Sequence, residues 1–232
     1  MLQAVPVHPV RAVFADLREG SGYLVRTPWL LATLLFASLM LLAMMGPLEV
    51  LTPFAIRDRA DGGPFEHALV LAAFGVGGAV GSLVVASRWL PRRYLTVMNL
   101  LCGVGCLPLA VFGLATHVVP MIVAGLAMGT AFQGGMVIWG TLLQRRVPLA
   151  LLGRVSRLDF LLSGAFMPLS VALAGPVSET VGLTTTFLVA GLVPPVLAVV
   201  TVLAARMPAD ELAHRWTGVR PPSRWARRPE RQ

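Results

Sequence analysis

Apolar residues fall into six long blocks separated by short polar connections. The blocks run from about Pro28 to Ile56, Glu66 to Ser87, Tyr94 to Ala115, Val118 to Leu143, Ser156 to Val177 and Leu183 to Ala205. Each reaches the roughly 20 residues that a helix needs to cross bilayer hydrocarbon. The first block is the longest. It contains Pro47 and Pro53, and Met45-Gly46-Pro47 predicts a kink. A tilted or bent helix accommodates the extra length.

The polar connections alternate in charge. Arg11, Arg18 and Arg26 precede the first block, Arg88, Arg92 and Arg93 follow the second, and Arg145, Arg146, Arg154 and Arg157 follow the fourth. The remaining arginines of this set lie in the tail, and the opposite side holds only Arg57 and Arg59. Basic residues stay on the cytoplasmic side of a membrane, so both termini are expected there. A count of five or seven spans breaks the alternation. The expected organisation is a cytoplasmic N-terminal segment (1–27), a six-helix transmembrane domain (28–206) and an Arg/Pro-rich cytoplasmic tail (207–232). The tail is expected to be disordered or to lie on the anionic inner leaflet. Two triplets of spans then have opposite topology, a 3+3 inverted repeat.

Composition agrees with lipid as the solvent. Hydrophobic residues make up 56% of the 232 and charged residues 13%, against about 25% charged in soluble domains. The mean hydropathy is +0.76. The net charge is +8, and all 19 basic residues are Arg. A basic balance can signal nucleic acid, but these arginines sit between apolar blocks, which points to the lipid bilayer as partner and away from nucleic acid. The all-Arg, Ala/Gly/Val/Leu-rich usage suggests a bacterial gene of high GC content, hence a bacterial cytoplasmic (inner) membrane. The first 27 residues hold no signal-peptide core with a cleavage site, so the first block is expected to be a retained helix.

Several chemistries find no residues to carry them. A phosphate loop of the G-x-x-x-x-G-K type needs a Lys, and none occurs. No G-x-S-x-G nucleophile is present. His8, His67, His117 and His214 are scattered without metal-ligand spacing. Cys102 and Cys106, four apart in one apolar block, read as packing residues. No cofactor, metal or enzymatic activity is expected. An intramembrane protease lacks its nucleophile and histidine, and the membrane part of an ATP-driven exporter needs longer cytoplasmic extensions.

Two segments resemble a known family. Gly81-Ser82 through Ser87-Arg88-Trp89-Leu90-Pro91-Arg92-Arg93 resembles a degenerate form of the arginine-rich loop of the major facilitator superfamily. The second comprises Gln144-Arg145-Arg146-Val147-Pro148, Leu152-Gly153-Arg154-Val155, and Ser156-Arg157-Leu158-Asp159, and continues through Pro168 to Ala174-Gly175-Pro176. It is similar to the tenth-to-eleventh helix region of bacterial drug and siderophore exporters in the enterobactin-exporter-like group. The resemblance covers residues 12–207, corresponding to helices seven to twelve. It implies an all-α membrane protein of six transmembrane helices, one half (a 3+3 inverted repeat) of a major facilitator fold. It also implies ion-gradient-driven efflux of small hydrophobic or amphipathic molecules, with a second six-helix half as partner, either another copy or a separate chain. The alternative is a transport-incompetent half, or a membrane interaction protein that needs a partner.

Candidate residues follow. Glu49 is an acidic residue inside an apolar block, and such a charge should face protein or water. It is a candidate for proton coupling or substrate contact, or a hydrated residue near the outer end. Gln133 and Trp139 are candidate cavity residues, and Trp139 also suits an interface anchor. Ser156-Arg157-Leu158-Asp159 matches a capping box, with Ser156 starting the fifth helix; Asp159 is alternatively a cytoplasmic gate residue. Arg88, Arg92, Arg93, Arg145, Arg146 and Arg154 are candidates for a latch to the partner half or for a purely topological role. Gly77 with Gly81, and Gly125 with Gly129, form two G-x-x-x-G patterns for close helix packing.

Overall fold

The computed structural model describes residues 21–87, 93–208 and 211. The expected N-terminal segment up to residue 20, and the tail from residue 209 apart from Glu211, lie outside the described residues. Among those described, the structure is helical throughout, with six spans long and apolar enough to cross a membrane. The first span is built from α1 (Pro28–Gly46), a π-helical turn (Pro47–Leu51) and α2 (Thr52–Ala60). The others are α3 (Pro64–Ala86), α4 (Tyr94–Val104) continued by α5 (Leu109–Leu114), α6 (Val118–Arg146), α7 (Leu149–Val181) and α8 (Leu183–Ala204). The fold is that of an all-α membrane protein with six spans.

Local chemistry sets the boundaries. Pro64 sits at the first position of α3, where its missing N–H is no loss. The Glu66 carboxylate reaches back to accept the Gly63 N–H at 2.7 Å. The Pro47 kink takes the form of the π turn, because Pro47 has no N–H to give. Ser170 of α7 stabilises this irregular stretch. Its hydroxyl accepts the Gly46 N–H at 2.7 Å and donates to the Leu42 carbonyl at 2.6 Å. It thus stands between two backbone groups that would bond each other in a regular helix.

One expectation is corrected, and one span is irregular. The third span, Tyr94–Leu114, has the expected extent but is not one uninterrupted helix. It breaks between α4 and α5, where Leu107 N–H bonds Val104 and Leu109 N–H bonds Cys106 in tight three-residue steps. Pro108 removes the donor that the ordinary ladder requires. The fifth helix does not start at Ser156. It starts at Leu149, with Pro148 in the capping position and Val147 extended (ψ 130°). The residue before a proline avoids helical backbone, so Val147-Pro148 is the true boundary. Ser156 and Asp159 lie inside α7, and the capping box is not used as one.

The connections are short, so sequential spans run antiparallel. Arg26, Arg93, Arg145, Arg146 and Arg154 therefore share one end of the bundle, and Arg57 and Arg59 lie at the other. The main packing pairs are α3 with α6, α1 with α7, and α4 and α5 with α8. The first span also packs on α8, as α6 packs on α4 and α5. Exchanging the first three spans for the last three maps these pairs onto one another, as an internal two-fold repeat requires. The bundle does not end at residue 206. Met207 is fully buried, and Glu211 is buried against the start of α4.

Candidate functional site

Glycine brings two helices close enough to shape the interior. A Cβ on Gly77 would overlap the Leu126 carbonyl, on Gly81 the Thr130 carbonyl, and on Gly129 the Phe74 carbonyl. On Gly125 it would lie 3.1 Å from the Val70 carbonyl. The structure therefore places both G-x-x-x-G patterns face to face in a single seam between α3 and α6. Backbones in that seam touch where any side chain would hold them apart. Gly135, on another side of α6, gives its space to the Cys102 sulfur.

The seam fixes which face of α6 turns inward. Gln133 turns toward α3, its stem 2.8 Å from where a Gly78 Cβ would stand. Trp139 lies six residues further, about 120° away around the axis at roughly 3.6 residues per turn. The two residues therefore do not share a face. Trp139 faces α7, where its Nε1–H donates to Asp159 Oδ2 at 3.0 Å. Asp159 is partly buried, three turns into α7.

Trp139 and Asp159 form one side of a cavity of about 180 Å³ between α1, α4, α6 and α7. Phe36, Met40, Met98 and Phe132 supply apolar walls. Asn99 enters from α4 and is fully buried. Its amide Nδ2 donates to the Leu95 carbonyl at 2.9 Å. Its Oδ1 has no hydrogen-bond partner. Sequence reasoning misses Asn99. The available signal is an amide side chain in the middle of an apolar block. A second cavity of about 330 Å³ lies between α1, α7 and α8, lined largely by aliphatic side chains with Ser170, Thr185 and Thr186.

The other candidates lie apart from these cavities. Glu49 is exposed on the π turn and lines neither. Arg146 sits at the arginine-rich end, its guanidinium carbon 5.4 Å from the Trp29 ring centre and 5.1 Å from that of Tyr94. Cation–π contact there ties α6 to α1 and α4. Arg145 and Arg93 are exposed, and Arg154 is partly buried on α7. Arg88 and Arg92 lie outside the described residues. At the opposite end Arg59 donates to the Thr184 hydroxyl, joining α2 to α8.

An apolar chamber inside a lipid-solvated bundle, with one carboxylate and one amide in its walls, is suited to holding an amphipathic molecule. The chain is similar to the multidrug efflux pump Tap of Mycolicibacterium fortuitum. The two are 32% identical over 205 residues, which covers 87% of this chain and 49% of the relative. The chain thus spans about half the length of the curated relative it matches. No family model matches the chain, and no solved structure matches it.

Proposed function

We propose that this chain is a six-helix half of a major-facilitator-type exporter and moves small hydrophobic or amphipathic molecules out of the bacterial cytoplasm. The observation that carries the reading is the inner cavity. It joins a partly buried carboxylate, two residues beyond Arg157, an indole that holds it, and apolar walls. A carboxylate on the wall of an apolar cavity is a functional-site candidate. The two-fold packing of the spans and the likeness to an efflux pump over 87% of the chain support it.

The arginine distribution supports an orientation with both ends of the bundle's chain in the cytoplasm. The exporter works with a second six-helix half, and α3 and α7, the spans with least of their surface inside the bundle, offer faces for it. An ion gradient, of protons first, drives export. Within the superfamily, the chain sits with the enterobactin-exporter-like group.

A second reading has its own observation. The match spans 49% of the pump, and on this second reading the chain is transport-incompetent by itself, copies of it do not make a transporter, and a separate partner half is needed. Proteoliposome transport separates the two. The chain is reconstituted alone and with the first six helices of a twelve-helix relative, and efflux of a fluorescent amphipathic dye is followed. Export that a protonophore stops supports the exporter. Transport only in the paired sample supports the paired half, and no transport in any arrangement contradicts export.

A further inference from the structure

The geometry points to a lipid site: the cleft between α1, α7 and α8 holds one acyl chain of a phospholipid, taken from the leaflet on the side of Arg57 and Arg59. The inference goes beyond the export reading and does not depend on it. It needs only that the spans cross a membrane.

The cleft begins where two helices touch. A Cβ on Gly46 would overlap the Ser170 carbonyl and lie 2.9 Å from the Ala174 Cβ, so α1 and α7 meet there. From that contact the lining follows α7 through Leu173 and Val177 to Val181, with Leu42 and Ala43 of α1 on one side and Thr185 and Val189 of α8 on another. The stretch from Ser170 to Val181 is roughly 16 Å of helix at about 1.5 Å per residue. One leaflet contributes about 15 Å to the hydrocarbon core. About 330 Å³ spread over that length leaves a cross-section of roughly 20 Å², the girth of one extended hydrocarbon chain.

The polar groups in the lining are already occupied. The Ser170 hydroxyl is taken by the Gly46 N–H and the Leu42 carbonyl, and the Thr186 hydroxyl donates to the Gly182 carbonyl at 2.9 Å. No charged side chain lines the cleft. Water gains few hydrogen bonds from such walls, and apolar voids stay dry. Close-packed protein tolerates few voids of this size, so hydrocarbon is the fitting occupant.

The mouth determines where that hydrocarbon comes from. Leu173, Val177, Val181 and Val189 line the cleft and are also exposed. Val189 belongs to the exposed face of α8, which continues through Leu192, Val196, Val200 and Leu203. An aliphatic face along a membrane span is solvated by lipid. The cleft is continuous with that face, so its occupant enters from the bilayer. The charges near the open end carry both signs: Arg59 donates to the Thr184 hydroxyl, and Glu179 is exposed on α7. The site therefore recognises the chain and not the head group.

Photolabelling of the full chain in lipid nanodiscs tests this. The probes are phosphatidylglycerol and phosphatidylethanolamine with a diazirine near the methyl end of one chain or near its ester, and labelled residues are read by mass spectrometry. The methyl-end probe is expected on Leu42 and Ala43, and the ester-end probe on Val181 and Thr185. Each should exceed the labelling of Val196 and Leu203, on the open face of α8, at least five-fold, and both head groups should label alike. Val177→Phe combined with Val189→Phe, both at the exposed mouth, should cut labelling of Leu42 and Ala43 at least five-fold and leave Leu203 unchanged. If the double variant does not fold, the order of depth in the wild type still decides. Labelling of Leu42 and Ala43 no stronger than that of Leu203 would mean surface lipid only and overturn the site. Unchanged labelling in the double variant, or a five-fold preference for one head group, would contradict recognition of the chain within the cleft. Loss of the labelling on co-assembly with the first six helices of a twelve-helix relative would give the cleft to a partner's side chains instead, and labelling that persists there supports the lipid.

Discussion

Glu211 reaches back 116 residues to accept the Leu95 N–H at 2.6 Å. The same oxygen accepts the Thr96 N–H at 3.0 Å, and the other carboxylate oxygen accepts the Thr96 hydroxyl at 3.0 Å. The first turn of α4 has amides without helical partners and a positive helix end, and a carboxylate suits both. Arg93, at the capping position, has no side-chain oxygen to do this work. A residue beyond the last span therefore closes the start of the third.

This gives the first prediction. Glu211→Ala leaves buried amides without an acceptor, which costs about 1–3 kcal/mol. Glu211→Gln keeps one acceptor and should lose less. Thermal unfolding in detergent should rank wild type above Glu211→Gln above Glu211→Ala. Equal melting of all three would show that the contact does not hold Glu211 to the bundle.

The seam between α3 and α6 gives the second. Gly81→Ala forces a methyl group onto the Thr130 carbonyl, and Gly129→Ala does the same at Phe74. Overpacking of this kind costs about 1–3 kcal/mol. Gly140 and Gly153 lie on α6 and α7, and a Cβ at either would meet no atom within 4 Å. Alanine there should be neutral or stabilise by about 0.4–1 kcal/mol, by restricting the unfolded chain. The same melting assay checks both directions.

Orientation is tested by single engineered thiols in a background without Cys102 and Cys106. Leu90→Cys and Ala150→Cys should react with an impermeant reagent only after the membrane is opened from the cytoplasmic side. Thr116→Cys should react from outside in intact cells. Opposite labelling of positions 90 and 150 would break the topology.

The six spans are legible in the sequence because each is a long apolar block, and membrane crossing needs little more than that. The glycine pairs are legible because their spacing puts both on one face. The irregularities are harder to see. The break at Pro108 and the π turn at Pro47 lie inside apolar blocks, where hydropathy does not change. The start of α7 is hidden for the opposite reason. Arg154 and Arg157 end the apolar block while the helix continues past the hydrocarbon, so Val147-Pro148 is the better signal.

The site is legible only in pieces. Trp139 and Asp159 each stand out, but they are 20 residues apart on adjacent spans, and nothing in the sequence says that their faces meet. Gln133 shares a helix with Trp139, which suggests a common cavity, yet the turn of the helix carries it to α3. Asn99 is a buried amide and Glu211 a long-range cap, and neither leaves a periodic trace.

The most direct measurement is export by Asp159→Asn in whichever reconstituted assembly the wild type transports, with Gly153→Ala as control. Asp159→Asn is expected to lose at least ten-fold in the rate of efflux of an amphipathic ammonium dye, while Gly153→Ala stays within two-fold, a difference of about 1.4 kcal/mol per factor of ten. Wild-type export by Asp159→Asn would contradict a path through the inner cavity.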